Sequence, residues 1–346
     1  MHLYPFLFEP NLHQVVWGGN NLRPYKGLEP SDEPIGESWE VSAVPSSTSI
    51  ISNGEFQSRD LISVINEYPE EILGKAVNEK YHSQLPLLVK FIDAKKDLSI
   101  QVHPNDEMAM REHGKMGKSE MWYIIKAEPG AHLYAGFKQE ITPHEYQKRV
   151  EDGSITEVLA DHQVKAGDVF YLPAGRVHAI CGGILLAEVQ QSSDVTYRIY
   201  DYNRPGMDGK PRQLHTEQAA KALNYHVEDN YRTDYPDTTN RAIRIIDTPF
   251  FDVRVMEISK SFHRDLKKYD SFVISMCIEG DCTIIIRGTG EKLTLRQGHS
   301  TLIPAAIADY DIIPLQGTTR ILDAFIDNMD RSISHKLTRF LHLTKQ

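Results

Sequence analysis

The chain has 346 residues, 40% of them hydrophobic and 25% charged, a globular balance that excludes wholesale disorder. At about 100–200 residues per domain it accommodates two or three domains, or one long duplicated one. Its 38 basic against 48 acidic residues leave a net charge of −10, which argues against a nucleic-acid or anionic-membrane partner.

In chain order, the opening Met1-His2-Leu3-Tyr4-Pro5 lacks the basic region of a targeting segment. No stretch reaches the roughly 18 apolar residues of a membrane span. Ser58-Arg59-Asp60-Leu61-Ile62 opens a helical stretch, about residues 58–80, which Pro69 interrupts. Apolar runs bounded by Gly and Pro then predict strands at Leu87–Ile92, Leu98–His103 and Met121–Ile125. A helical insertion follows over about 142–161. Thr142-Pro143-His144-Glu145 supplies a cap and a first-turn proline, and Ser154-Ile155-Thr156-Glu157 repeats the capping pattern. Further strands are predicted at Val169–Leu172 and Ile184–Val189, then a helix over about 216–225. The polar stretch 230–243 reads as a boundary, so the expected domains are 1–235 and 236–346. Strands at Phe272–Met276 and Thr283–Ile286 complete a mainly β chain, a barrel or sandwich with inserted helices. Cys181, Cys277 and Cys282 make no CxxC and no disulfide framework, so a reducing, cytoplasmic setting is expected.

The second half repeats the first. Gly167-Asp168-Val169-Phe170-Tyr171-Leu172-Pro173-Ala174 pairs with Gly298-His299-Ser300-Thr301-Leu302-Ile303-Pro304-Ala305 at an offset of 131 residues. Glu120-Met121-Trp122 pairs with Asp270-Ser271-Phe272 at an offset of 150, the difference being the length of the insertion near 142–161. Only the first unit carries the set of residues that a metal site needs. Gln101 and His103 stand two apart on a predicted strand, hence on one face. Glu120 begins the next aromatic strand, and His178 follows the glycine-rich turn Gly167-x5-Pro173-x-Gly175-x2-His178. Two imidazoles, a carboxylate and an amide oxygen suit zinc or another divalent first-row ion, and the lack of thiolates points to a catalytic site. In the second unit the places of Glu120 and His178 are expected to hold Asp270 and Asp309.

The Gly167-to-His178 pattern is similar to the second motif of the cupin superfamily, although Gly182 stands where that motif often has asparagine. Leu87–Ile92, Leu98–Asp106, Lys118–Tyr123 and Leu172–Ala179 resemble type I mannose-6-phosphate isomerases, as do Trp17-Gly18-Gly19 and Gly36–Ser42. The length resembles the short bacterial form. The resemblance implies two cupin-like (jelly-roll) barrels, the first carrying the helical insertions and the second free of metal. It implies one Zn2+ per chain on Gln101, His103, Glu120 and His178, and a phosphosugar substrate. The activity implied is interconversion of mannose 6-phosphate and fructose 6-phosphate through a cis-enediolate. Arg198 matches the family's active-site arginine, while Lys118 and Lys90 match substrate-contacting positions. Trp39 is placed as a pocket wall. Gly117 replaces a histidine of some relatives, which leaves Glu188, Asp194 and Lys118 as the candidate bases. Two other readings use the same ligands: a metal-dependent cupin oxygenase and a non-catalytic sugar-binding cupin. Nothing in the sequence bears on the oligomeric state.

Overall fold

The computed structural model describes residues 2–329 and is mainly β; the last part of the expected second domain, 330–346, lies outside the described residues. The first eleven strands are β1 (Leu12–Gly19), β2 (Ile35–Val41), β3 (Leu87–Ala94), β4 (Ile100–Val102), β5 (Glu120–Ala127), β6 (His132–Phe137), β7 (Leu159–Gln163), β8 (Val169–Leu172), β9 (His178–Ile180), β10 (Ile184–Gln191) and β11 (Tyr197–Tyr200). They form two facing antiparallel sheets, β1-β2-β3-β10-β5-β8 and β11-β4-β9-β6-β7. Nine more follow: β12 (Ile243–Asp247), β13 (Asp252–Ile258), β14 (Phe262–Asp265), β15 (Val273–Glu279), β16 (Cys282–Ile286), β17 (Lys292–Leu295), β18 (Ser300–Ile303), β19 (Asp309–Pro314) and β20 (Thr319–Phe325). These build the sheets β12-β13-β20-β15-β18 and β14-β19-β16-β17. Each pair of sheets is open at its edges, with no ring of hydrogen-bonded strands among the described residues.

The repeat is visible in the topology. The order β3-β10-β5-β8 recurs as β13-β20-β15-β18, and β4-β9-β6-β7 recurs as β14-β19-β16-β17. Register corrects one expected pairing. Glu120 faces Leu172, just before Pro173, while Val273 faces Ile303, just before Pro304. Val273 therefore occupies the place of Glu120, and the offset there is 153 residues rather than 150. Asp270 lies before the strand at φ +47°, its carboxylate accepting from the backbone N–H groups of Lys75 and Ala76. Apolar runs of similar composition slide past one another in sequence; only strand pairing sets their register.

The same alignment makes Arg254 and Asp323 the counterparts of Lys90 and Glu188. In the second unit Asp323 is fully buried and accepts from Arg264 Nε (2.9 Å), Ser275 Oγ (2.6 Å) and Tyr310 Oη (3.0 Å). That interior is filled by an ion-paired polar network around the Asp323 carboxylate, as a buried charge requires.

Helices appear where the caps predict them, with shorter bounds. Asp60 caps the helix Leu61–Glu67 by accepting from Ser63 N at 2.9 Å, and Pro69 begins a separate helix, Pro69–Leu73. Thr142 caps the helix Pro143–Glu151, with Pro143 in its first turn. The second capping pattern yields one 3-10 turn, Ile155–Val158, in which Ser154 makes no side-chain cap bond, and residues 159–163 are strand. The helix expected over 216–225 runs Thr216–Ala222 and stops where Leu223 turns extended. Strands β1 and β2 and the helix Asp106–His113 lie outside the expected elements, although Asn105 at the start of that helix and Gly114 after its end were readable cap signals.

Strands β3 and β10 are buried at every residue. Their outward side chains (Leu87, Val89, Phe91, Ala187, Val189) join one core with Phe251, Val253, Phe272, Ile274, Leu322 and Ala324 of the second unit. Their inward ones, including Ile92 and Leu186, pack with Trp122, Leu133 and Ile180 between the first unit's sheets. Both faces are covered, which is why apolar residues fall on both faces of these strands instead of alternating, with Lys90 and Glu188 breaking the inward row. No helix among the described residues is long and apolar enough to cross a membrane.

Candidate metal centre

Two rows of directly opposed residues build the site. Across the first sheet, Trp39, Lys90, Glu188 and Trp122 stand side by side on β2, β3, β10 and β5. One row along, two residues further on each strand, come Leu88, Gln190 and Glu120. Across the facing sheet, Arg198, Gln101 and His178 are opposed on β11, β4 and β9. His103 lies one residue past β4, and its carbonyl accepts from Gly175 N at 2.9 Å. Gly175 has φ +89°, and a Cβ there would come within 2.9 Å of Ala222 O, so the turn that delivers His178 demands glycine.

His103, Glu120 and His178 form a buried group whose donor atoms all lie within 4.8 Å of one another. His103 Nε2 is 3.3 Å from Glu120 Oε2, and His178 Nε2 is 3.2 Å from Glu120 Oε1. Each ring's Nδ1 faces a backbone carbonyl, Val195 O at 3.0 Å and Arg176 O at 2.8 Å. Those contacts assign the proton to Nδ1 and turn the lone pair of Nε2 into the cluster, the usual outer support of a metal-binding imidazole. Burial, then the charge of Lys118, lowers His103 to about 3; burial also lowers His178. Both rings are thus neutral and able to donate a lone pair. Burial alone would raise the Glu120 carboxyl, but Lys118, with Nζ 2.9 Å from Oε2, and the two imidazoles bring it well below the ordinary carboxylate range. His103 Nε2 and both Glu120 oxygens are buried without a hydrogen-bond partner, Oε2 having only its ion pair with Lys118. Orphaned buried acceptors aimed at one point fit a cation, and nitrogen and oxygen donors fit a divalent first-row ion. The Gln101 amide is 3.3 Å from His178 Nε2, at the edge of the same cluster.

Beside these donors opens a cavity of about 190 Å³. Trp39, Lys90, Gln101, Lys118, Glu188, Asp194 and Arg198 all line it, so the structure brings together every residue singled out in the sequence. Asp194 sits at the exposed rim, its carboxylate 2.6 Å from Lys115 Nζ. Glu188 is buried, with Oε2 accepting from Trp122 Nε1 at 2.8 Å and Oε1 3.4 Å from Lys90 Nζ. Burial and the charge of Glu120 raise its carboxyl. Arg198 donates to Ser99 Oγ at 3.3 Å and Gln213 O at 2.9 Å.

Sequence reasoning passed over Glu37, Ser99, Trp122 and Arg212, which line the same cavity. Glu37 had a readable signal, standing two residues before Trp39 and so on its face of a strand. Arg212 had none, because it reaches the cavity from a loop and is held there by Asp201 through two bonds of 2.6 Å.

A family model described as phosphomannose isomerase type I, catalytic domain, matches residues 6–124, and one described as mannose-6-phosphate isomerase, cupin domain, matches 243–325. A mannose-6-phosphate isomerase of Bacillus subtilis is 33% identical over 312 residues, covering 89% of this chain and 95% of the relative. The chain belongs to the type I mannose-6-phosphate isomerase family. Another family member, from Streptococcus mutans, is 33% identical over 307 residues, covering 88% of this chain and 94% of its own. The crystal structure of a mannose 6-phosphate isomerase from Bacillus subtilis superposes with a TM-score of 0.83 at 30% identity, over 93% of this chain and 99% of that one. A phosphomannose isomerase variant from Salmonella typhimurium, 16% identical over 94% of this chain and all of its own, shares the fold at a TM-score of 0.75. As a member of this family the chain is an isomerase, which leaves the oxygenase and the non-catalytic binder without an observation of their own.

Proposed function

We propose that the chain interconverts mannose 6-phosphate and fructose 6-phosphate with one zinc ion held by His103, Glu120 and His178, and that the Gln101 amide, whose nitrogen lies 3.3 Å from His178 Nε2, turns its oxygen to the ion as a further donor. The observation that carries this reading is the convergence of orphaned Nε2 and carboxylate atoms beside a cavity whose walls bear Lys90, Lys118 and Arg198. The bound ion supplies Lewis acidity to substrate oxygens.

The remaining services fall to side chains. Glu188 is the group that carries the proton between C1 and C2. It is buried in the cavity, its raised proton affinity suits a base, and Oε1 has no hydrogen-bond donor on it. Asp194 is held by Lys115 at the rim, and Lys118 is engaged with Glu120, so neither competes on position. Arg198, opposite Gln101 in the strand register, stands beside the metal donors and stabilises the cis-enediolate oxyanion. Arg212, on the same wall and fixed by Asp201, offers a fork for the phosphate. Trp39 closes the wall behind Lys90, whose ammonium lies 4.8 Å from the centre of its ring.

The division into a catalytic unit, 1–235, and a second cupin-like unit, 236–346, remains our reading, as do the two-barrel description and the cytoplasmic setting. The strand order that recurs in the two sheet pairs supports the division, and the three free, buried cysteines support the cytoplasmic setting. A coupled assay for fructose 6-phosphate formation, before and after chelation and after zinc is restored, tests the function. Activity should vanish on chelation and return with zinc; equal rates throughout would defeat the metal assignment.

A further inference from the structure

Lys90 lies between two cavity carboxylates on the first sheet. Its Nζ lies 3.3 Å from Glu37 Oε2 and 3.4 Å from Glu188 Oε1, with the Trp39 ring 4.8 Å away. Each carboxylate is itself braced by an indole: Trp39 Nε1 donates to Glu37 Oε2 at 2.6 Å, and Trp122 Nε1 donates to Glu188 Oε2 at 2.8 Å. Trp39 is in turn backed by His13, with ring centroids 4.7 Å apart, and His13 Nε2 is 3.1 Å from Ser47 Oγ.

The register makes this arrangement directional. Trp39, Lys90 and Glu188 are neighbours in one row, whereas Glu37 stands opposite Ile92, one row away. Glu37 therefore draws the ammonium along its strand, off the line that leads straight to Glu188. A lysine head is a compact charge on a flexible four-carbon stem and goes to whichever partner remains. With Glu37 neutral, the ammonium has Glu188 as its remaining close carboxylate and closes on it. A base locked in a full ion pair is a poorer proton acceptor.

We infer that Glu37, fixed by the Trp39 indole, is a positioning residue that shares Lys90 with Glu188 and keeps the Glu188 Oε1 atom open to substrate. Lys90 supports the arrangement by staying charged. Burial disfavours its ammonium, but Glu37 and Glu188 together raise its proton affinity above that of an ordinary lysine. The inference rests on the reading that Glu188 and Lys90 face substrate.

The test is a double-mutant cycle of Glu37→Gln and Lys90→Gln, with kcat, KM, bound zinc and melting temperature measured for each protein. Glu37→Gln should lower kcat about ten-fold, within the range of couplings between contacting residues, and leave KM and zinc content near wild type. Glu37→Asp, which keeps the charge, should recover part of the loss. In the Lys90→Gln background, Glu37→Gln should cost nothing more. Losses that multiply would mean that Glu37 acts without Lys90, and would overturn the inference. So would an undiminished kcat in Glu37→Gln. If Glu37→Gln does not fold, Glu37→Asp replaces it in the same cycle with the same criterion. An unchanged kcat in Lys90→Gln alone would instead remove the underlying assignment of Lys90.

Discussion

Exchanging Glu188 for glutamine keeps the shape of the side chain and takes away its capacity to accept a proton. The amide oxygen can still receive the Trp122 Nε1–H group that lies 2.8 Å from Oε2. The ion pair with Lys90 at 3.4 Å is lost, but Lys90 retains Glu37 at 3.3 Å, so no buried charge is left alone. The fold should therefore survive at a cost well under the roughly 3–5 kcal/mol of a fully orphaned buried partner. Catalysis should not. A positioned base contributes about 10²–10⁴-fold, which at about 1.36 kcal/mol per decade is roughly 3–5 kcal/mol of barrier. The expected variant binds zinc normally, because Glu188 lies outside the His103, Glu120 and His178 group. Its kcat in the fructose 6-phosphate assay should drop by at least about a hundred-fold, and exchange of the substrate C2 hydrogen with solvent, followed by NMR, should slow in parallel. A kcat within about ten-fold of wild type, with zinc retained, would remove Glu188 from the proton transfer and leave Asp194 and Lys118 as the remaining cavity candidates.

Arg198→Lys keeps a positive charge but loses the planar fork, and kcat/KM is expected to fall by about 10²–10³-fold with unchanged zinc content; full activity would show that only charge matters there. Arg264→Met strips the buried cation from Asp323 in the second unit, so urea unfolding should reveal a loss of about 3–5 kcal/mol while kcat/KM holds, and a parallel loss of activity would refute the structural role of that network. Asp201 has its carboxyl raised by burial, but the guanidiniums of Arg212 and Arg204 outweigh this and hold it below the ordinary range. A depressed folded value stabilises above the unfolded pKa near 3.9 and is lost as pH falls through the folded one. The stability gap between wild type and Asp201→Asn should be constant above about pH 5 and shrink in stronger acid; a gap that widened on acidification would contradict the pairing.

Much of the site was legible because its parts are local. Gln101, His103, Glu120 and His178 sit beside strand signals or a glycine turn, and short-range geometry says where each side chain must point. The caps at Asp60 and Thr142 marked helix starts for the same reason, since each bond spans three residues. Arg212 could not be found in this way. Its partner Asp201 lies on a loop whose path over the cavity depends on the sheets beneath it. The register error at Asp270 has the same origin: apolar periodicity marks a strand but is blind to which residue of its partner it meets.

Taken alone, the amino-acid string determined the class of chain, mostly strands in two related halves, and which half carries nitrogen and oxygen donors. Those follow from composition, periodicity and short-range turns, all of which act within a few residues. Tertiary structure decided what the donors and cations do to one another. It set both imidazoles neutral by burying them, divided Lys90 between Glu37 and Glu188, and placed Val273 where the other half has Glu120. Burial and charge–charge contact depend on distances between strands far apart in the chain, and folding alone creates those distances.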